Sequence, residues 1–554
     1  MKPFLRVFSV ATTLSLTAGC GCDNDGHAVD AGAGGALDAS VDGTEDSASP
    51  GEDSGPGPDA CCDLGDGGPD DGSDAGENGD AAADGGDADA GDPYFDLDPS
   101  PFGFHPAFAG GIPGDPWAPA QKAGVAWTRD GSEPYVFWAL VDPDRTGDPA
   151  KMRFAGEVTG PDGKPARFDY DAGIAGAVAS GLSVMWNIAV EPVIFGYSKA
   201  GSWLPVDEAA YAGFVKTTVK RYPAIRVWQV GNEPDIQLGF PPEPKLADFA
   251  KLQKLTYGAI KEADPGVVVV MGGAADWPGP GRGFFDQVLD DLGGCCVDAF
   301  DFHLYGDPNG GTLMAEGGLP SLGYPHIETW AKEIRQHLDA RGFLKTPLWT
   351  TENGTFSGTV SFGPAKMTAT EAEQARDLPK RTVVALASGV EKLFWAFGIS
   401  EGLGSLDDYD TDYFDHTGLI YTGKTFPAGT KKLGYWALWQ MTRQLQGCDW
   451  RRFSRIETAV PEARAYRCTR TDGGEVAVVW WDTFYVSDFE KGDTVDVTVP
   501  WPAQTAVVRS AVPSFASGAE VTDPGTAFAT STLIVSGGYV TLSLGADPMY
   551  VREE

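Results

Sequence analysis

Cysteine is scarce in this chain, eight residues in 554, which excludes a small domain stapled by disulfides. No Cys-x-x-Cys pair is matched by a second one or by a spaced couple of histidines, so the sequence offers no structural zinc site. Cys448 and Cys468 stand far enough apart to close a loop, but the sequence leaves that pairing open. Cys295 and Cys296 are adjacent; neighbouring side chains usually diverge, and the pair is expected to pack rather than react. Positive charge is also in short supply, with 41 Lys and Arg against 79 Asp and Glu and a net charge of −38. Neutralising a phosphate backbone needs clustered basic side chains, so nucleic acid is excluded as a partner. Long apolar runs are missing beyond one short stretch near the N-terminus, and that stretch is too short to span a bilayer as a mature helix.

What is present begins with an address. Lys2 and Arg6 precede the apolar Val7–Leu16 and then Thr17-Ala18-Gly19-Cys20, the layout of a basic region, a short hydrophobic region and a small-residue cleavage site. The Cys after Ala-Gly resembles a bacterial lipobox. That resemblance implies residues 1–19 as a lipoprotein-type signal peptide, lipidation of Cys20, and export to the bacterial cell envelope on a lipid anchor in the membrane. Gly21 is not the Asp associated with inner-membrane retention, which favours the outer membrane or cell surface. Residues 20–92 read as a disordered acidic tether: residues 21–90 hold 20 Asp or Glu and no Lys or Arg, with almost nothing apolar to bury. Asp23-Asn24-Asp25-Gly26 has the look of a calcium loop but lacks its bidentate Glu, and reads as solvated linker.

From Pro93 short apolar runs alternate with helical patterns. Candidate strands are Phe102–Phe108, Gly124–Arg129, Leu182–Val190, Arg226–Gly231, Val267–Gly273, Ala299–Tyr305, Pro347–Glu352 and Leu393–Gly398. Continuous rather than alternating apolar runs suit strands buried on both faces of a parallel sheet. Asp207 is a candidate cap for a helix ending at Pro223; Glu328–Arg341, Thr370–Val390 and Lys431–Gln446 are further helices, with Pro379 expected to kink or restart its own. A long excursion, Asp130–Gly181, is expected to carry a hairpin turning at Pro161-Asp162-Gly163 and a helix buried on Tyr170, Ile174 and Val178. Eight strand-plus-helix units predict an α/β fold, a (β/α)8 TIM barrel over residues 93–446. Short β-rich runs separated by Gly, Pro and Asp, with a hairpin at Gly537-Gly538, then predict a small antiparallel β-sandwich over 447–554, which borrows a strand from residues 94–101.

In such a barrel the reactive groups sit at the C-terminal ends of the strands. Strand four ends Asn232-Glu233-Pro234 and strand seven ends Thr351-Glu352-Asn353-Gly354. Two glutamates three strands apart around one mouth face each other. Cleaving a glycosidic bond with retention needs such a pair, about 5–5.5 Å apart, one to protonate the leaving oxygen and one to attack the anomeric carbon. The acid must hold a proton although a free Glu has a pKa of about 4.3, and a neighbouring carboxylate with partial desolvation supplies that shift.

On these residues the sequence resembles glycoside hydrolase clan A, the retaining (β/α)8 glycosidases. The resemblance implies Glu233 as acid/base, Glu352 as nucleophile and Asn232 as the partner of the sugar 2-hydroxyl. It further implies Arg129 as the residue that keeps the nucleophile ionised, His303 and Tyr305 as the strand-six pair with the Tyr donating to the nucleophile, and Trp395 as the aromatic platform under the sugar. His105 and Asn187, ending strands one and three, are equally compatible with packing and with the site. Layout is nearest to the sandwich-bearing families, such as family 39 or the related families 5, 30 and 51, although Gly231 stands where many relatives carry Trp. The implied substrate is an oligo- or polysaccharide β-glycoside, and the implied chemistry uses no metal and no organic cofactor. The competing reading is a non-catalytic cell-surface carbohydrate-binding protein on a glycosidase scaffold.

Overall fold

A computed structural model describes residues 97–131, 135–159, 165–190, 199, 202–235, 246–275, 277, 280–306, 324–362, 365–404, 412–482 and 492–553. The expected signal peptide, Cys20, the whole of the acidic leader and the turn at Pro161-Asp162-Gly163 lie outside the described residues. Eight parallel strands form the centre: β1 (Phe102–His105), β2 (Trp127–Arg129), β3 (Ser183–Ala189), β4 (Val227–Val230), β5 (Val268–Met271), β6 (Phe300–Tyr305), β7 (Leu348–Gly354) and β8 (Val390–Ala396). They run in the order β5-β4-β3-β2-β1-β8-β7-β6. The bridges Val270↔Ala299 and Ala274↔Phe302 join the β5 and β6 segments and close the cylinder. The main helices that follow the strands are α1 (Ala118–Lys122), α2 (Tyr170–Ala179), α3 (Glu208–Arg221), α4 (Leu246–Ala263), α5 (Pro280–Leu292), α6 (Pro325–Asp339), α7 (Glu371–Ala387) and α8 (Leu433–Gln444); between β2 and α2 lie also a short strand, Tyr135–Phe137, parallel to β3, and a one-turn helix, Trp138–Val141. All eight expected strands are present, as is the Asp207 cap, whose side chain accepts from the Ala210 amide.

Side chains alternate between two environments because successive Cβ atoms of a strand point to opposite faces. Trp127, Met185, Val227, Val268, Val270, Ala299, Trp349 and Phe394 fill the lower barrel interior. Phe104, Trp186, Trp228, Val230, Phe300, Phe302 and Leu304 belong to the larger core between strands and helices. Gly103 is required by this filling, since a Cβ there would sit 2.5 Å from the Phe394 ring. The floor is closed by Lys392, whose ammonium lies 4.7 Å from the Trp127 ring and donates to the Asp98 and Ser100 carbonyls. Burial brings its pKa down to about 8.

Four expectations about the bounds and packing of these elements need correction. The described residues 97–101 form no strand for the sandwich; Lys392 holds them against the barrel floor instead. Pro379 does not restart α7, which runs from a Thr370–Glu373 capping box to Ala387 as one helix; a proline removes a single helical hydrogen bond, and tight packing on both sides of Pro379 carries the rest. The helix expected from Glu328 begins at Pro325, where proline suits a first turn. In α2 Tyr170 and Ile174 are buried, but Val178 is exposed at 38% because it falls on the outer side of a helix that contacts the sheet along one stripe. The excursion does carry its antiparallel hairpin, Ala155–Thr159 against Pro165–Asp169.

After α8 the chain forms β9 (Ser454–Arg455), β10 (Ala463–Thr469), β11 (Glu475–Trp481), β12 (Val495–Pro500), β13 (Thr505–Ser510), β14 (Thr530–Ile534), β15 (Tyr539–Leu544) and β16 (Met549–Arg552). A six-stranded sheet, β9-β10-β11-β16-β13-β14, faces a two-stranded one, β12-β15. Period two again divides the side chains. Ala465, Ala477, Val479 and Val551 meet Val497, Val499, Val540 and Leu542 inside the sandwich, whereas Tyr466, Val476, Val478, Trp480 and Tyr550 join the barrel's outer core. The Tyr324 hydroxyl, just before α6, donates to Asp482 at 2.6 Å and tightens this junction. Glu371, opening α7, accepts from the backbone amides of Leu433 and Gly518 at 2.7 and 2.8 Å, so one carboxylate ties both helices to the sandwich. Cys448 and Cys468 form a disulfide between the end of the barrel and β10. Cys295 and Cys296 do not diverge: their sulfurs lie 2.7 Å apart, in a turn where Cys296 has a φ of +68°.

Candidate active site

Polar side chains replace apolar ones toward the upper end of the barrel. In β6 the inward positions read Asp301, His303, Tyr305, while Phe300, Phe302 and Leu304 face the helices. After β4 the chain turns at once: Gly231 takes a φ of +67° and Glu233 one of +43°. A left-handed φ costs glycine little and any other residue about 1–3 kcal/mol, which explains why Gly rather than Trp stands at 231 and marks Glu233 as held by its surroundings. Gly273 completes the frame, because a Cβ there would lie 2.2 Å from His303 Nε2 and 2.5 Å from Asp301 Oδ2.

Glu352, on β7, is buried and doubly fixed. The Arg129 guanidinium donates to its Oε1 at 2.5 Å, and the Tyr305 hydroxyl donates to its Oε2 at 2.7 Å. His105 Nε2 lies 3.6 Å from the same Oε1, and His303 Nδ1 lies 3.5 Å from Oε2. Arg129 is itself spent on the site, donating to Gln229 at 2.8 Å and to the side-chain oxygen of Asn232. That last bond fixes which end of the Asn232 amide is its carbonyl and presents the NH2 end elsewhere. Glu233 meets His303 Nδ1 at 2.6 Å. One ligand atom from each of Glu233, His303 and Glu352 lies within 4.8 Å of the others, so the two carboxylates are in the range of a paired acid and nucleophile.

The two carboxyls are driven apart in proton affinity. Burial alone would raise Glu352, but the charges of His303 and Arg129 outweigh it and bring its pKa down to about 2. Glu233 is raised, by burial first and by the Glu352 charge second. Burial would lower His303, yet Glu352, Asp301 and Glu233 surround it with negative charge and lift it to about 10. Burial lowers His105 to about 3, with Arg129 adding to the effect. Beside it burial raises Asp130 to about 8. The surroundings thus push the two carboxyls in opposite directions, Glu352 toward the bare form and Glu233 toward the protonated one. A cation fits this trio poorly, since Arg129 and charged His303 already occupy the faces of Glu352 that a metal ion would need.

Of the residues singled out in the sequence, Arg129, Asn232, Glu233, His303, Tyr305 and Glu352 converge in one network. His105 joins its edge. Asn187 lies beneath it, its amide NH2 3.4 Å from Gln229 Oε1. Trp395 does not face the site as expected. It pairs with Phe104 on β1, both belong to the core against the helices, and its indole N–H donates to the Thr417 carbonyl, which also accepts from Gln374 of α7. The reason is strand alternation: Phe394 takes the inward position, so its neighbour is turned outward. Phe397, two residues on, supplies the aromatic surface. Its partly exposed ring stacks on Tyr305 at 6.1 Å and 16° and lies 5.2 Å from the His105 ring.

Sequence reasoning also left out the floor of the network. Asp301 is fully buried and accepts from the Thr351 amide at 2.8 Å, the Thr351 hydroxyl at 2.5 Å and Gln229 Nε2 at 2.6 Å. It also lies 3.3 Å from His303 Nε2. The signal for Asp301 was present in the Asp-x-His-x-Tyr alternation of β6; Gln229 and Thr351 carry none that the strand pattern distinguishes from packing.

The fold is similar to those of several solved carbohydrate-active enzymes. A family 39 glycoside hydrolase from the gut symbiont Bacteroides cellulosilyticus WH2 matches with a TM-score of 0.52 at 18% identity, covering 79% of this chain and 77% of that one. A glucosidase from Croceicoccus marinus matches with a TM-score of 0.51 at 16% identity, covering 82% and 97%. An α-L-arabinofuranosidase from Thermotoga maritima gives a TM-score of 0.51 at 11% identity, covering 82% and 95%. At such identities the likeness establishes the shared (β/α)8 fold with its appended sheet. No protein-family model matches the sequence, and no curated protein matches it.

Proposed function

We propose that this protein is a retaining β-glycoside hydrolase acting on oligo- or polysaccharides by double displacement. The observation that carries the reading is a pair of carboxyls, with Glu352 and Glu233 ligand atoms within 4.8 Å, whose surroundings lower the pKa of one and raise that of the other. Glu352 attacks the anomeric carbon while Glu233 protonates the departing glycosidic oxygen, giving a covalent glycosyl-enzyme. Having given up that proton, Glu233 stays ionised, because bond formation has removed the charge of Glu352 that is the second cause of its raised pKa, and it then draws a proton from the incoming water. Arg129 and Tyr305 keep Glu352 bare and aimed between turnovers, Asn232 offers its amide to the sugar 2-hydroxyl, and Phe397 takes the platform role that Trp395 does not fill. The structural neighbours, which include glycosidases and an arabinofuranosidase, support carbohydrate as the substrate class.

The same reading places the enzyme in a bacterial cell envelope, exported and anchored through a lipid on Cys20. The basic and apolar N-terminus and the small-residue site before Cys20 support this, and so does the Cys448–Cys468 disulfide, since such bonds persist in oxidising compartments. Glu233→Gln and Glu352→Gln are expected to fold normally and to lose several orders of magnitude in kcat. Azide is expected to rescue Glu352→Gly and to yield a glycosyl azide of inverted anomeric configuration. A wild-type protein that binds aryl β-glycosides but turns none over, across xylosides, glucosides, galactosides, arabinofuranosides and uronides, would replace the catalytic reading with the non-catalytic one.

A further inference from the structure

Two thiols at the opposite end of the barrel from the glutamates are brought within bonding reach. Cys295 and Cys296 lie in the turn between α5 and β6, directly after Gly293 and Gly294. Their Sγ atoms are 2.7 Å apart, well inside the roughly 3.5–4.0 Å at which even carbon atoms rest without a bond. The backbone is shaped around this approach: Gly293, Gly294 and Cys296 have φ values of +65°, +82° and +68°, three left-handed residues in four. Gln253 of α4 donates to the Cys296 carbonyl at 2.9 Å and pins the connecting segment. The Cys295 sulfur also lies 3.1 Å from the Leu292 carbonyl that ends α5. Both residues are partly exposed, so a reagent can reach them. Elsewhere in the fold Cys448 and Cys468 are already joined, which points to folding in a compartment that oxidises thiols.

We propose that Cys295 and Cys296 form a vicinal disulfide and that this bond is a redox-labile modification site. The oxidant is a disulfide of the thiol-exchanging class. One Cys thiolate attacks it to give a mixed disulfide, and the adjacent thiolate then displaces the carrier. One S–S bond forms in the protein, one breaks in the carrier, and the carrier departs as a dithiol holding both hydrogens. Neighbouring Cα atoms are about 3.8 Å apart, less than the 4.4–6.8 Å usual across a disulfide, so the ring is strained and yields to reductant more readily than an ordinary bridge. This inference does not depend on the catalytic assignment.

The test uses the full-length protein purified without reductant, denatured in N-ethylmaleimide and digested with trypsin. The peptide Gly283–Lys332 contains Cys295 and Cys296 and no other cysteine. It is expected unlabelled and lighter by two hydrogens than the dithiol form. On graded reduction it should take two maleimides before Cys448 and Cys468 take any. A peptide that is doubly labelled without reductant overturns the proposal. In Cys295→Ser the same peptide should carry one maleimide on Cys296; an unlabelled Cys296 in that variant would mean it bonds to something else and would also overturn it.

Discussion

Replacing Tyr305 by Phe removes one hydroxyl and leaves the ring, which is held by Phe397 at 6.1 Å and by Phe414 at 5.0 Å. What is lost is the 2.7 Å donation to Glu352 Oε2. A hydrogen bond to a charged group contributes about 1.5–3 kcal/mol, and about 1.4 kcal/mol is tenfold in rate, so kcat/KM is expected to fall by about 10- to 150-fold. Two donors of positive charge remain, Arg129 on Oε1 and His303 at 3.5 Å, so the nucleophile stays ionised near neutrality. Its pKa nevertheless rises from about 2, because one of the groups holding it down has gone. The assay is kcat and KM on an aryl glycoside as a function of pH, with the fold checked by near-ultraviolet circular dichroism. Loss in kcat with little change in KM, and an acid limb displaced toward higher pH, is the expected pattern. A variant within about threefold of wild type, with its acid limb unmoved, would refute the claim that Tyr305 tunes Glu352.

Wild-type kcat/KM should be bell-shaped in pH with limbs of known sign. Activity is lost as pH falls toward about 2 and Glu352 gains its proton, and lost as pH rises through the raised pKa of Glu233, which must hold one; stopped assays across the acid and alkaline range check both limbs. Phe397→Ala is expected to raise KM about 2- to 12-fold with modest thermal cost, since a stacked aromatic contact is worth about 0.5–1.5 kcal/mol beyond its buried area. Trp395→Phe should do the reverse, lowering Tm through the lost indole bond to Thr417 while leaving KM near wild type; paired melting and Michaelis measurements separate them.

Much of this molecule is readable from its chain, and the reasons differ by element. Buried parallel strands leave uninterrupted apolar runs, so all eight appear, and a glutamate just after such a run falls at the mouth by geometry alone. Arg129, His303 and Tyr305 follow from the same rule. Trp395 misleads because large aromatics serve both as platforms and as core, and only the inward position of Phe394 decides which. Asp301, Gln229 and Thr351 act through one another across three strands, a coupling that no single segment displays. Pro379 is tolerated inside α7 because packing outweighs one missing hydrogen bond, a tertiary effect invisible to local propensity. Cys295 and Cys296 approach each other through left-handed backbone angles that adjacency in sequence does not announce.

The clasp formed by Lys392 has a practical consequence for anyone handling this protein. By gripping the carbonyls of Asp98 and Ser100, it makes everything upstream arrive at the pole facing away from the two glutamates. A purification tag, a fluorescent reporter or a solid support joined directly before Asp98 therefore leaves the rim that carries Glu233 and Glu352 open.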